Sequence, residues 1–228
     1  MDLLYFLRER LTFIRNLYDS ATLPFEETIR KIENGEPPYI ETWGYEDAGE
    51  PQFLAEFQEA DNAVTVIGRW CLCMVQASLH AYLSESITPA GSVWWDSEAL
   101  QKALPLKKGG SWFGRYELLF REELGIDFND GPVKLSDLEQ LNLTRNDLLH
   151  NFDLFSERIT RSKDHAQRFP VALFTEELWV GLGVEEIKVT SDKLILAIEL
   201  VRSFCKWLDG IRCKYPVWLR AQKRDANQ

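Results

Sequence analysis

The stretch LNLTRNDLLHNF, residues 141–152, has the apolar spacing of an amphipathic α-helix. At about 100° per residue, the apolar side chains around it fall within roughly 60° of Arg145: Leu138, Leu141, Leu148, Leu149 and Phe152. Upstream, Ser136 and Glu139 have the spacing of a capping box, which predicts that the helix begins at Ser136. The pattern predicts that it continues to about Arg161. A guanidinium is therefore expected in the middle of an apolar stripe.

Helical spacing recurs on both sides of this stretch. Apolar residues at three- and four-residue steps predict helices over 3–18, 52–86, 113–124 and from about Ser191 onward, with a short helix near 96–104. Pro24 is expected to end the first of them, because proline lacks the backbone N–H that a helix interior needs. Few segments alternate with period two, although Ile187, Val189 and Thr190 are compatible with a brief extended segment.

These patterns predict an all-α fold, built as a helical bundle. A chain of 228 residues is long enough to bury a full core, so we expect a single domain over residues 1–228. Within it, residues 1–50 are expected to form an N-terminal helical extension and residues 52–210, approximately, the core.

Composition narrows the classes of function. The formal net charge of −10 argues against a protein that coats nucleic acid without specificity, because such a surface repels phosphate. The four cysteines lack the spacing of a zinc site, so no metal and no cofactor is expected. The opening residues carry several charges and read as neither a signal peptide nor a membrane span. The sequence thus predicts a soluble, cytoplasmic protein with no membrane partner.

Arg145, Asn146 and His150 are the candidate catalytic residues. Histidine can transfer protons near neutral pH, and arginine can hold a phosphate or the negative charge of a phosphorane. Asparagine can orient such a group or donate to an oxygen. Together they fit metal-free cleavage of RNA, in which the 2′-hydroxyl attacks the phosphorus and the histidine helps to move protons.

A structural interpretation of the same residues stays open. Arg145 can instead form a salt bridge to a neighbouring helix, and His150 can be a partly buried core residue. Asp147 and Asp153 flank the motif, and either can orient His150, although solvated carboxylates are expected there. In this second interpretation the chain is an unrelated helical scaffold.

The stretch LNLTRNDLLHNF resembles the signature helix of HEPN domains, an all-α family whose motif is Arg, four to six residues, then His, often with a polar residue after the Arg. Arg145, Asn146 and His150 match it in order. The segment GSWFGRYELLFREELGI (110–126), the loop after it, the motif helix and a closing helix rich in Leu and Ile also resemble HEPN organisation. The resemblance covers about residues 52–210 and implies a HEPN-like core.

The resemblance implies a function as well. Many HEPN proteins are metal-independent endoribonucleases of toxin–antitoxin or anti-phage systems, and they commonly form homodimers in which two motif helices face each other. RNA, a second copy of the chain and an antitoxin protein are therefore the expected partners. Some members carry a Tyr two residues after the His, which an antitoxin modifies; Phe152 stands there, which argues against that control. The alternative is an inactive HEPN module that binds RNA, nucleotide or a partner protein.

A local basic patch follows the motif on this acidic chain. It consists of Arg158, Arg161, Lys163 and Arg168, of which Arg158, Arg161 and Lys163 are the candidate RNA-binding residues. The alternative interpretation is a solvated helix end whose cations favour the helix dipole.

Overall fold

The computed structural model describes residues 2–40, 51–87, 112–150, 159–177 and 185–212. Within these ranges 77% of the residues are helical and the only sheet has two strands, so the predicted all-α fold is confirmed. The described helices are α1 (Leu3–Glu33), α2 (Leu54–Ile87), α3 (Trp112–Leu124), α4 (Leu135–His150), α5 (Lys163–Arg168) and α6 (Ser191–Arg212). A 3₁₀ turn spans Phe128–Asp130, and the antiparallel strands are β1 (Thr175–Glu177) and β2 (Glu185–Ile187).

The three long helices α1, α2 and α6 pack against one another and form one side of the bundle. Their buried faces meet in a continuous apolar core that α3 and α4 complete. Five of the fully buried side chains are phenylalanines, and these include Phe113, Phe128 and Phe204. The rings of Phe113 and Phe204 lie 5.4 Å apart and those of Phe128 and Phe204 5.1 Å apart, so they join α3, the 3₁₀ turn and α6.

Helix α1 corrects the expectation that Pro24 ends the first helix, because it runs unbroken to Glu33. Proline at position 24 removes one helical hydrogen bond to the carbonyl of Ser20. Both residues are exposed, so water can satisfy that carbonyl. The hydroxyl of Thr28 also donates to the carbonyl of Pro24, over 3.0 Å. The helical hydrogen bond that the proline removes is therefore lost only at the exposed surface of α1. The packing of α1 on α2 is kept.

The predicted start of the motif helix is wrong in detail. Helix α4 begins at Leu135, one residue before the predicted start, and Ser136 donates to the carboxylate of Asp137 over 3.2 Å. The Glu139 side chain is buried and accepts hydrogen bonds from Phe113 and Arg168, so it does not form a capping box. A carboxylate at the first turn of α3 is favourable, because free N–H groups point out of that helix end.

The helix also does not continue to Arg161. Ile159 and the three residues after it are not helical, because they lie beside β2. The carbonyl of Ile159 accepts from the backbone N–H of Ile187 over 2.8 Å, and Arg161 pairs with Glu185. The predicted extended segment near Ile187 is confirmed in part, since β2 ends at that residue.

Glycine at position 68 allows the strand end to approach α2 closely. A Cβ atom on Gly68 would lie 2.2 Å from the carbonyl oxygen of Val189. The next residue, Arg69, is buried and donates from Nε to the carbonyl of Ile187 over 2.9 Å and from Nη2 to Glu186 over 2.6 Å. These contacts fix the hairpin against α2. The predicted helix near 96–104 lies outside the described residues.

Candidate functional site

Arg145 lies half-buried near the C-terminal end of α4. Its Nη1 donates to Oδ1 of the adjacent Asn146 over 3.0 Å. Within the part of the chain that the structure describes, no carboxylate lies within ion-pair distance of this guanidinium. Arginines that lose part of their hydration are usually paired. The positive charge of Arg145 is therefore directed by an amide and is not neutralised by any carboxylate among the described residues.

His150 is the last residue of α4 that the structure describes, and its side chain is exposed. It stands five residues beyond Arg145, about 140° further round the helix. Asn146, which directly follows Arg145 in the sequence, is half-buried. All three motif residues thus lie within the last six described residues of α4, where Arg145 donates to Asn146. Phe152 and Asp153 lie outside the described residues.

Helix α2 provides the opposite side of this region. Cys73, Gln76 and His80 lie on one face of α2, at three- and four-residue spacing. Gln76 Nε2 donates to Oδ1 of Asn142 over 3.1 Å, and both side chains are buried, so this bond fixes α2 against α4. Arg145 comes one turn after Asn142. His80 on this face of α2 consequently lies near enough to Arg145 for the guanidinium charge to act on its imidazole.

The electrostatics of α2 reflect that proximity. Partial burial, followed by the nearby positive charge of Arg145, lowers the pKa of His80 below its usual value. Burial raises the pKa of the Cys73 thiol, while the charge of Arg145 acts in the opposite direction. An imidazole with a lowered pKa is neutral at pH 7 and can accept a proton. Nothing in the sequence connects α2 with α4 at this point, so the proximity of His80 to Arg145 could not be predicted.

Helix α3 places aromatic rings beside His80. The ring of His80 lies edge-on to Trp112, with centroids 5.3 Å apart, and 6.1 Å from the ring of Tyr116. The Tyr116 hydroxyl lies 2.8 Å from that of Ser84. These contacts restrict the orientation of the imidazole, although His80 is exposed to solvent on its other side. A guanidinium, a neutral imidazole and aromatic rings are groups that bind a phosphate and a base.

The structure describes Arg161, Lys163 and Arg168 of the predicted basic patch, and these side chains differ in their exposure. Arg161 is only 8% exposed, and it donates to the carbonyl of Phe169 over 2.6 Å and pairs with Glu185. The structure therefore gives no support to an RNA contact by Arg161. Arg168 pairs with the buried Glu139 over 3.0 Å. Lys163 is exposed at the start of α5, whereas Arg158 lies outside the described residues.

Asp147 does not have the solvated carboxylate that its position in the sequence suggested. It is 4% exposed, and its Oδ2 lies 2.7 Å from Nδ1 of His165, a residue 1% exposed on α5. Asp147 points away from the Arg145 side of α4, about 160° round the helix. The pair joins α5 to the back of the motif helix. Sequence reasoning missed it because the two residues are 18 positions apart and no local pattern connects them.

The described residues offer neither a metal site nor a membrane-spanning helix. No group of three or more His, Cys, Asp or Glu side chains there has the arrangement of a metal site. None of the helices in the described ranges combines the length and apolar character required to cross a bilayer.

Comparison with known proteins identifies no relative. No protein-family model, no curated protein and no solved structure matches the chain significantly.

Proposed function

We propose that the protein is a metal-independent endoribonuclease of HEPN type, in which Arg145 and His150 are catalytic and Asn146 orients Arg145. Its role would be that of a toxin or anti-phage effector in the cytoplasm, controlled by an antitoxin protein. The observation that carries the proposal is the state of Arg145, which is half-buried, directed by Asn146 and without a carboxylate partner among the described residues.

The chemistry follows from the side chains of Arg145, Asn146 and His150. The 2′-hydroxyl of RNA attacks the adjacent phosphorus, which places negative charge on the phosphorane oxygens. Arg145 stabilises that charge with its fork of N–H donors. Its bond to Asn146 holds the fork in one direction, which reduces the loss of side-chain entropy on binding. His150 transfers a proton, and its exposed side chain can reach a bound substrate.

A homodimer would complete the site. Leu149 is 41% exposed one turn beyond Arg145 on α4, so apolar surface is available next to the motif residues. In the proposal, two motif helices face each other across this surface and one RNA strand lies between them. Lys163 is retained as a contact to the RNA backbone, because it is exposed.

RNA cleavage in the presence of EDTA tests the proposal. The wild-type protein should cut single-stranded RNA into products with 2′,3′-cyclic phosphate and 5′-hydroxyl ends, and leave the same sequence in DNA intact. Arg145→Ala and His150→Ala should each reduce kcat by about 100-fold or more. Arg121→Ala is the matched control, because Arg121 is 52% exposed on α3 and should not affect the rate.

Circular dichroism of each variant separates loss of chemistry from loss of folding. Full activity in His150→Ala would remove His150 from the mechanism. RNA binding without cleavage by the folded wild-type protein would favour the inactive module over the enzyme. Toxicity on expression, relieved by Arg145→Ala, would support the effector role.

A further inference from the structure

We propose that His80 on α2 is the catalytic base that takes the proton from the 2′-hydroxyl, an assignment that rests on the proposed ribonuclease function. The signature helix alone supplies one imidazole per chain. Cleavage needs one group to accept a proton from O2′ and another to give a proton to O5′. A second histidine beside Arg145 provides the missing group within the same protomer.

The placement of His80 comes from the contacts between three helices. The Gln76–Asn142 hydrogen bond sets the position of α2 against α4. His80 follows Gln76 by four residues, and Arg145 follows Asn142 by three, so each lies one turn from that bond. The charge of Arg145 acts on the imidazole directly. A phosphate bound by Arg145 would therefore lie within reach of the His80 side chain.

The environment of His80 suits a base better than a structural residue. Its ring is oriented by Trp112 and Tyr116, yet the side chain remains exposed to solvent and thus to a substrate. The charged or titratable groups that face it are Arg145 from α4 and Tyr116 from α3. Both the partial burial and the Arg145 charge lower its pKa, so the ring is neutral at pH 7 and has a free nitrogen.

The reaction balances without any further reactant. The proton of the 2′-hydroxyl moves to the unprotonated ring nitrogen of His80 as the O2′–P bond forms. The P–O5′ bond breaks, and O5′ takes a proton from the imidazolium of His150. The products are a 2′,3′-cyclic phosphate and a 5′-hydroxyl, and nothing is oxidised or reduced. Proton exchange with water returns both imidazoles to their starting states.

An NMR titration tests the placement independently of activity. The chain has three histidines, so single Asn variants at His80, His150 and His165 assign the ring protons. The pKa of His80 should lie below the ordinary value of about 6.5, and Arg145→Gln should raise it. An unchanged His80 titration in folded Arg145→Gln would overturn the placement.

Kinetics test the chemical role. His80→Ala should reduce kcat by about 100-fold, and added imidazole should restore part of the rate, because a small base can enter an exposed site. The fall in kcat/KM at acidic pH, which reports protonation of the base, should disappear in this variant. Asn62→Ala is the matched control, since Asn62 is exposed on the same face of α2 about 27 Å away.

The outcomes separate this inference from the proposed function. If the wild type cuts RNA in EDTA and His80→Ala is equally active, His80 is not the base while the ribonuclease proposal stands. If His80→Ala is slow but imidazole does not restore any rate and the acidic limb persists, the residue is structural. If the folded wild type does not cut RNA, both proposals fail, and only the Arg145–His80 proximity measured by NMR survives.

Discussion

Nδ1 of His165 lies 2.7 Å from Oδ2 of Asp147, and both side chains are almost completely buried. The other ring nitrogen of His165 is buried and has no hydrogen-bond partner among the described residues. The Asp147 carboxylate is therefore the group that satisfies this imidazole. The pair fastens α5 to α4 on the side opposite Arg145, so it supports the candidate site without forming part of it.

Removal of Asp147 should destabilise the fold. Asp147→Ala leaves the buried imidazole without a partner at either nitrogen, which should cost about 3 kcal/mol of unfolding free energy. Urea unfolding followed by tryptophan fluorescence measures it. Asp137→Ala on the same helix removes a carboxylate whose hydrogen bond is exposed, and should cost less than about 1 kcal/mol. Equal losses in the two variants would contradict the role of the pair.

Two of the helical glycines, Gly68 in α2 and Gly210 in α6, should respond in opposite directions to alanine. A Cβ on Gly68 would collide with the backbone of Val189, so Gly68→Ala should destabilise by about 3 kcal/mol or displace the hairpin. A Cβ on Gly210 meets nothing within 4 Å, so Gly210→Ala should stabilise α6 by up to about 1 kcal/mol. Thermal unfolding compares the two, and a stabilising Gly68→Ala would show that β2 does not approach α2 so closely.

Thiol reactivity should report the charge of Arg145. Cys71 is 1% exposed and burial raises its pKa to about 11, whereas Cys73 is half-buried and lies near Arg145. In the native protein at pH 8, iodoacetamide should modify Cys73 faster than Cys71. Arg145→Gln should slow the modification of Cys73, because the thiolate loses the nearby positive charge that favours it. Peptide mass spectrometry gives both rates, and faster modification of Cys73 in this variant would place Arg145 elsewhere.

Alkaline pH should weaken the packing of α1. Burial, followed by the nearby Glu26, raises the pKa of Tyr18 to about 12, whereas an unfolded tyrosine titrates near 10. The unfolded state then loses its proton first, so the stability present below pH 10, approximately, falls as the pH rises toward 12. Unfolding midpoints between pH 8 and 11 measure the fall. Tyr18→Phe should make it shallower, and an unchanged slope would show that the phenol is solvated.

Sequence periodicity was sufficient for the helices whose buried face repeats regularly, such as α2, α3 and α6. It failed where one local rule competed with tertiary structure. Pro24 is tolerated because its side of α1 faces water, and Glu139 leaves its expected cap because α3 and Arg168 offer buried partners. The position of Arg145 in the motif was readable from the sequence. Its neighbour His80 was not, since α2 and α4 meet only in the folded chain.

The buried attachment of α4 through Asp147 has a consequence for how such a protein can evolve. Because the helix is anchored from behind, Arg145 and the exposed His150 carry little of the folding free energy. Either can be replaced without the loss of the scaffold. In the proposed ribonuclease, catalysis could therefore be lost through one or two substitutions while the fold is kept.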